Sequence, residues 1–143
     1  MIAIRRATAV DAHKIAEAEA KYIDCPWSLS QVQEEIDNPS ALFLVAECDG
    51  GVVGYLSGVI AADECEVSNI AVDEAYRRKG IASKLFCAFT EELKRLEVSS
   101  VFLLVREGNI PAIKLYERQG FLHMGKRPRY YKGGDALIMR LDI

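Results

Sequence analysis

The chain has 143 residues, half of them hydrophobic and 27% charged, with a formal net charge of −3 at pH 7. That length suits one domain, and the balance is that of a folded globular chain rather than a disordered or fibrous one. A net negative chain is poorly suited to generic nucleic-acid binding, which needs a basic face, and no apolar run approaches the ~20 residues of a membrane span.

"MIAIRRAT" predicts a short strand, and its charges stand where a secretory signal needs an apolar core, so the cytoplasm is the expected compartment. Thr8 and Asp11 form a capping-box pattern ahead of Ala12, Ile15, Ala16, Glu19 and Ile23 at helical spacing. After "CPWS", Ser28 is placed to cap a second helix with Leu29, Val32 and Ile36 on one face, stopped by Asn38-Pro39. "ALFLVAE", the turn "CDGG" and "VVGYLSGVI" make a hairpin signature, followed by a third strand from Cys65 to Val72. The short links predict antiparallel pairing among these three.

Ile81, Leu85, Phe89, Leu93 and Leu96 fall on a helical stripe. "VSSVFLLV" is a continuous apolar run, expected to be a strand covered on both faces. Another helix opens near Asn109 with Pro111 in its first turn, and Gly120 supplies the stop. "FLHMGKRPRYY" and "DALIMRLDI" close the chain as two strands around "KGG". Seven strands and four helices in this order predict an α+β fold, a sheet with helices on its faces.

Between the third strand and the long helix stands "YRRKGIA". A helix start leaves unpaired amides that favour an anion, Gly80 lets the backbone come close, and Arg77, Arg78 and Lys79 add positive charge. The pattern points to a phosphate or pyrophosphate, with a solvated basic turn as the plainer alternative. It is neither a Walker loop nor a three-glycine dinucleotide fingerprint. Cys25, Cys48, Cys65 and Cys87 are widely spaced and His13 and His123 are the only histidines, so reduced thiols and no metal site are expected.

"NIAVDEAYRRKGIA", "VREGN", "AIKLYERQGF", "CPWS" and "RYY....DALIM" together resemble the Gcn5-related N-acetyltransferases, closest to the bacterial ribosomal-protein-alanine acetyltransferases (RimI). The resemblance covers nearly the whole chain, as one N-acetyltransferase domain over residues 1–143. It implies a central mixed, mostly antiparallel sheet of about seven strands flanked by about four helices, with acetyl-CoA as cosubstrate and no metal. It implies that Ile70 and Val72, with Ala71 between them, meet the pantetheine arm, that Arg78, Lys79, Gly80, Ile81, Ala82 and Ser83 wrap the pyrophosphate, and that Arg77 and Asn109 also contact the cofactor. Tyr116 matches the family tyrosine near the cofactor sulfur and would be the general acid. Read from spacing alone, it shares a helical face with Ala112 and Ile113 and could equally be core.

The sequence departs from its relatives at the base. Where they carry a glutamate two residues ahead of the arginine of the V-R segment, this chain has Leu104, which cannot accept a proton. Glu66 is the candidate replacement, since other branches of the superfamily place a glutamate base on that strand. Strict alternation would put Glu66, Ser68 and Ile70 on one face. The alternative for Glu66 is an ordinary exposed carboxylate, and Glu107 is a weaker candidate. An α-amine has a pKa of about 7.7 to 8.0 against about 10.4 for lysine, so neutralising it costs roughly 3.5 kcal/mol less. Loss of the glutamate is therefore more tolerable for N-terminal acetylation.

Trp27, Tyr130 and Tyr131 lie in segments that resemble the family's peptide-binding loops, with packing onto the core as the alternative. The resemblance implies acetyl transfer to a protein N-terminus, with the alanine of a ribosomal protein as the expected acceptor, and a small single domain is expected to be a monomer. A lysine or small-amine acetyltransferase, and a coenzyme-A-binding regulatory module without catalysis, are the other readings.

Overall fold

The computed structural model describes residues 1–143. Strand β1 (Ile2–Arg6) leads through a 3-10 turn at Ala9–Asp11 into helix α1 (Ala12–Tyr22). The Thr8–Asp11 capping box forms and closes that turn. Ser28 starts α2 (Leu29–Asp37) by accepting from the Gln31 amide, and Asn38 ends it ahead of Pro39. Strands β2 (Ala41–Cys48), β3 (Gly51–Ala61) and β4 (Glu64–Val72) follow as an antiparallel meander. Then come α3 (Ile81–Arg95), β5 (Ser100–Arg106), α4 (Ile110–Arg118), β6 (Leu122–Tyr131) and β7 (Gly134–Asp142). No helix is long and apolar enough to cross a membrane.

All seven strands join one sheet in the order β1-β2-β3-β4-β5-β7-β6. Its single parallel pair, β4 with β5, is registered only at Glu64↔Ser100, Cys65↔Val101 and Glu66↔Phe102. Beyond Glu66 the two strands part. This opening positions the candidate site.

Alternation along β2 divides the core. Leu42 and Leu44 turn to one face, where Leu85, Phe89 and Leu93 of α3 and Ile113 and Tyr116 of α4 pack. Phe43 and Val45 turn to the other, against Ala12, Ile15 and Val32 of α1 and α2. Each fully buried large apolar side chain contributes roughly 1.5–3 kcal/mol.

Two expectations are corrected. The apolar run of β5 is not covered on both faces: Val101, Leu103 and Val105 are buried, while Phe102, Leu104 and Arg106 are half-buried. Helices α1 and α2 lie over β2 to β4 and leave this side of β5 open. Strict alternation also fails in β4. Ser57 opposes Asn69 and Gly58 opposes Val67, which makes Ser68 an extra residue in a β-bulge. Val67 and Ile70 therefore both face the α3 side, and Glu66 faces the α1/α2 side, opposite to Ile70.

Candidate active site

The parted strands open a cleft of about 1290 Å³. Of the residues singled out from the sequence, Trp27, Glu66, Ile70, Ala71, Val72, Arg77, Arg78, Gly80, Ile81, Ala82, Ser83, Asn109, Tyr116, Tyr130 and Tyr131 all line it. Lys79 does not, and its Nζ lies 5.7 Å from the Tyr76 ring.

At one end is the start of α3. Gly80 occupies the N-cap position at φ 74°, the left-handed region that glycine enters without penalty, and no side chain caps the helix. The first amides of α3, at Ile81, Ala82 and Ser83, are thus available to an anion. Arg78 is also held at positive φ, 63°, an uncommon conformation for a side chain of that size. Arg77 is folded back: its Nε donates to the Val72 carbonyl at 3.0 Å and its guanidinium stacks 4.8 Å from the Tyr22 ring. It braces the loop against β4 and α1, while Arg78 and Lys79 carry no ion pair. Ser83 Oγ accepts from Gln119 Nε2 at 2.8 Å, tying the start of α3 to the end of α4. Asn109 caps α4, its side chain accepting from the Ala112 amide.

Tyr116 and Glu66 line the cleft from opposite faces of the sheet. Tyr116 packs edge-on against Phe86 and Phe121 and is only 8% exposed. Burial, with a smaller contribution from Tyr131, pushes its phenol up to about 12. Tyr116 is a core side chain that also lines the cleft. Glu66 is exposed on the α1/α2 side of β4. Leu104 projects from β5 on the open side, so the position of the missing glutamate faces the cleft.

The other end is aromatic. Trp27 packs on Phe43 at 6.1 Å, and Tyr130 and Tyr131 meet edge to face at 4.9 Å. Tyr131 donates its hydroxyl to the Leu104 carbonyl at 3.3 Å, fastening the end of β6 to β5. Burial raises the Tyr131 phenol above its ordinary value, with Tyr130 adding to it and Arg106 opposing.

Beneath this end lies a residue whose role the sequence did not disclose. Glu19 is fully buried and accepts from the Trp27 amide at 2.9 Å, from Asn69 Nδ2 at 2.7 Å and from the Tyr55 hydroxyl. Burial, and then the hydrogen bond to Glu19, raise the Tyr55 phenol strongly. One signal for Glu19 was present: a carboxylate on the apolar stripe of α1, where a charge persists only if donors surround it.

A mixed sheet that parts at its one parallel pair, beside an amide-lined helix start, is the architecture of an N-acetyltransferase. The chain belongs to the acetyltransferase (GNAT) family, whose characteristic pattern matches residues 10–121. It is 36% identical over 149 residues to N-alpha-acetyltransferase RimI of Mycobacterium tuberculosis (strain ATCC 25618 / H37Rv), covering 99% of this chain and 92% of that relative. It is 35% identical over 99 residues to the [ribosomal protein bS18]-alanine N-acetyltransferase of Escherichia coli (strain K12), covering 66% of this chain and 67% of the relative. The crystal structure of the ribosomal-protein-S18-alanine N-acetyltransferase from Escherichia coli superposes with a TM-score of 0.91 at 29% identity, over 100% of this chain and 94% of that one.

Proposed function

We propose that this protein transfers the acetyl group of acetyl-CoA to the α-amine of a protein N-terminus, with an N-terminal alanine of a ribosomal protein as the acceptor. The observation that carries the reading is the cleft itself, which joins an anion-binding helix start to an aromatic slot through the gap between β4 and β5. The names of relatives aligned over nearly the whole chain support the acceptor class. The enzyme works as one domain, as a monomer, in the cytoplasm.

The residues present fit the cosubstrate. Amides of Ile81, Ala82 and Ser83, with Arg78 beside them, would hold a pyrophosphate, and the exposed Lys79 would add longer-range attraction. The edge of β4 at Ile70, Ala71 and Val72, free of β5, would take an extended amide-bearing arm by strand-like bonds, with Asn109 across the cleft. Bound acetyl-CoA supplies a thioester-activated acetyl group: the neutral amine forms the new N–C bond, the C–S bond breaks, one proton leaves nitrogen and the sulfur leaves as thiolate.

Trp27, Tyr130 and Tyr131 wall the slot for the first residues of the acceptor. Glu66, directly or through one water, receives the amine proton in place of the glutamate that Leu104 replaces. Tyr116 serves the leaving sulfur. A phenol at about 12 gives up its proton to a thiolate of ordinary pKa, about 8.5, only at a cost of roughly 5 kcal/mol. Tyr116 therefore acts by donating a hydrogen bond to the developing charge rather than by surrendering its proton.

Two peptides incubated with the protein and acetyl-CoA test the reading, one with a free alanine N-terminus and no lysine, the other N-blocked and carrying a lysine. Intact mass is expected to show acetylation of the first alone. Acetylation of the blocked peptide points to a lysine enzyme, and acetyl-CoA binding without turnover on any amine points to a regulatory module.

A further inference from the structure

Arg106 ends β5 and reaches across to both acceptor-side loops. Its Nη2 donates to Asp24 Oδ2 at 3.2 Å, in the segment between α1 and α2 that also carries Trp27. Its Nη1 donates to the Lys132 carbonyl at 3.3 Å, in the turn between β6 and β7. The guanidinium plane lies 4.7 Å from the centroid of Tyr131. The turn is cut to fit: a Cβ on Gly134 would stand 2.8 Å from Arg106 Nη1.

We infer that Arg106 is a positioning residue that clamps these two loops together and so sets the width of the acceptor slot between Trp27 and the Tyr130–Tyr131 pair. Three different kinds of contact converge on one side chain: an ion pair, a bond to a backbone carbonyl and a stack on an aromatic ring. Only a planar fork with several donors can make all of them at once, so lysine is not an equivalent. The stack and the carbonyl bond hold the guanidinium on the β6–β7 hairpin, and the pair with the largely exposed Asp24 is the one bond that carries the clamp across to the loop of Trp27. An exposed pair between two mobile side chains is worth little, but here the arginine is already fixed in place. The two segments that the Arg106 side chain touches are those that carry Trp27 and Tyr131, so its effect falls on the acceptor and not on acetyl-CoA. As a statement about the acceptor, this inference rests on the peptide-acetylating function proposed above.

Three variants test it: Arg106→Ala, Arg106→Lys, and Gly134→Ala, which displaces the guanidinium from the opposite side without touching its charge. Each is measured for KM toward an alanine-terminated peptide, KM toward acetyl-CoA, and acrylamide quenching of the single tryptophan, Trp27. All three should raise peptide KM by about tenfold with acetyl-CoA KM unchanged within about twofold, the split expected of lost acceptor positioning. Quenching of Trp27 should rise in parallel. Unchanged peptide KM and unchanged quenching in all three would overturn the clamp. The quenching readout does not depend on turnover: if the wild-type protein acetylates no peptide yet quenching rises in the variants, the peptide function fails and the clamp stands.

Discussion

The Trp27 amide donates to Glu19 Oε1 across 2.9 Å, so a fully buried carboxylate fixes the loop that presents the acceptor-side indole. Tyr55 and Asn69 supply the other donors, and one side chain thereby joins α1, the loop after it, β3 and β4. Glu19→Ala leaves one buried and two half-buried donors without their acceptor, at about 1–3 kcal/mol for a buried one and less for the others. The substitution should cost roughly 3 kcal/mol or more and lower Tm by about 6–12 °C. Glu19→Gln, which keeps one acceptor oxygen, should fall between. Thermal denaturation followed by circular dichroism checks this, and a Glu19→Ala protein melting within about 2 °C of wild type contradicts it.

Gly80→Ala isolates the backbone contribution to cofactor binding. Nothing lies within 4 Å of the added Cβ, so the only penalty is the left-handed conformation at φ 74°, about 1–2 kcal/mol. Calorimetric affinity for acetyl-CoA should fall by about fivefold to thirtyfold as the start of α3 shifts to relieve it. Arg78→Ala and Lys79→Ala should weaken binding less, and their loss should shrink as salt is raised, because both charges are exposed and screened.

If Tyr116 serves the leaving sulfur as proposed, Tyr116→Phe removes that hydrogen bond and nothing else of size. A bond to a charged group is worth about 1.5–3 kcal/mol, so kcat should drop by about ten- to 150-fold with acetyl-CoA KM nearly unchanged. The sign of its pH behaviour follows from the raised phenol at about 12. The donor form is fully present below the ordinary value of about 10 and is lost only as pH climbs through 12. No decline in kcat attributable to Tyr116 should therefore occur between pH 8 and about pH 10. Steady-state kinetics across that range decide it.

Glu66→Gln removes the carboxylate assigned to the amine proton. General bases contribute typically about 10²–10⁴-fold, and a carboxylate acting through solvent on an amine of pKa about 8 belongs at the low end. A loss of about tenfold to a hundredfold in kcat/KM at pH 7 is expected, shrinking as pH passes 8 and the free amine becomes neutral unaided. A pH-independent loss would place Glu66 in binding rather than proton transfer.

Period and punctuation made most of the fold legible. The Thr8–Asp11 and Ser28 caps, the Asn38-Pro39 stop and the alternation in β2 are local rules, and each reappears in the structure where local energetics dictate. The failures are all nonlocal. The bulge at Ser68 turns Glu66 away from Ile70, and no period-two reading of "CEVSNIAV" contains that extra residue. Coverage of β5 depends on where α1 and α2 settle over other strands. Glu19 and Arg106 were visible as types, one as a carboxylate on an apolar stripe and the other as an arginine closing an apolar strand. Their farthest partners, Asn69 for Glu19 and Asp24 for Arg106, stand 50 and 82 residues away, and sequence spacing does not report such distances. The loop from Arg77 to Ser83 was the opposite case, because an unpaired helix start is a property of the local chain.

The proposed function requires this cleft to acetylate an α-amine in preference to a side-chain amine. One peptide carrying both a free alanine N-terminus and an internal lysine, incubated with protein and acetyl-CoA and fragmented in the mass spectrometer, tests it most directly. The acetyl group should be found on the alanine nitrogen, with the lysine unmodified at early times. Acetyl on the lysine first, or on both at equal rates, would contradict it.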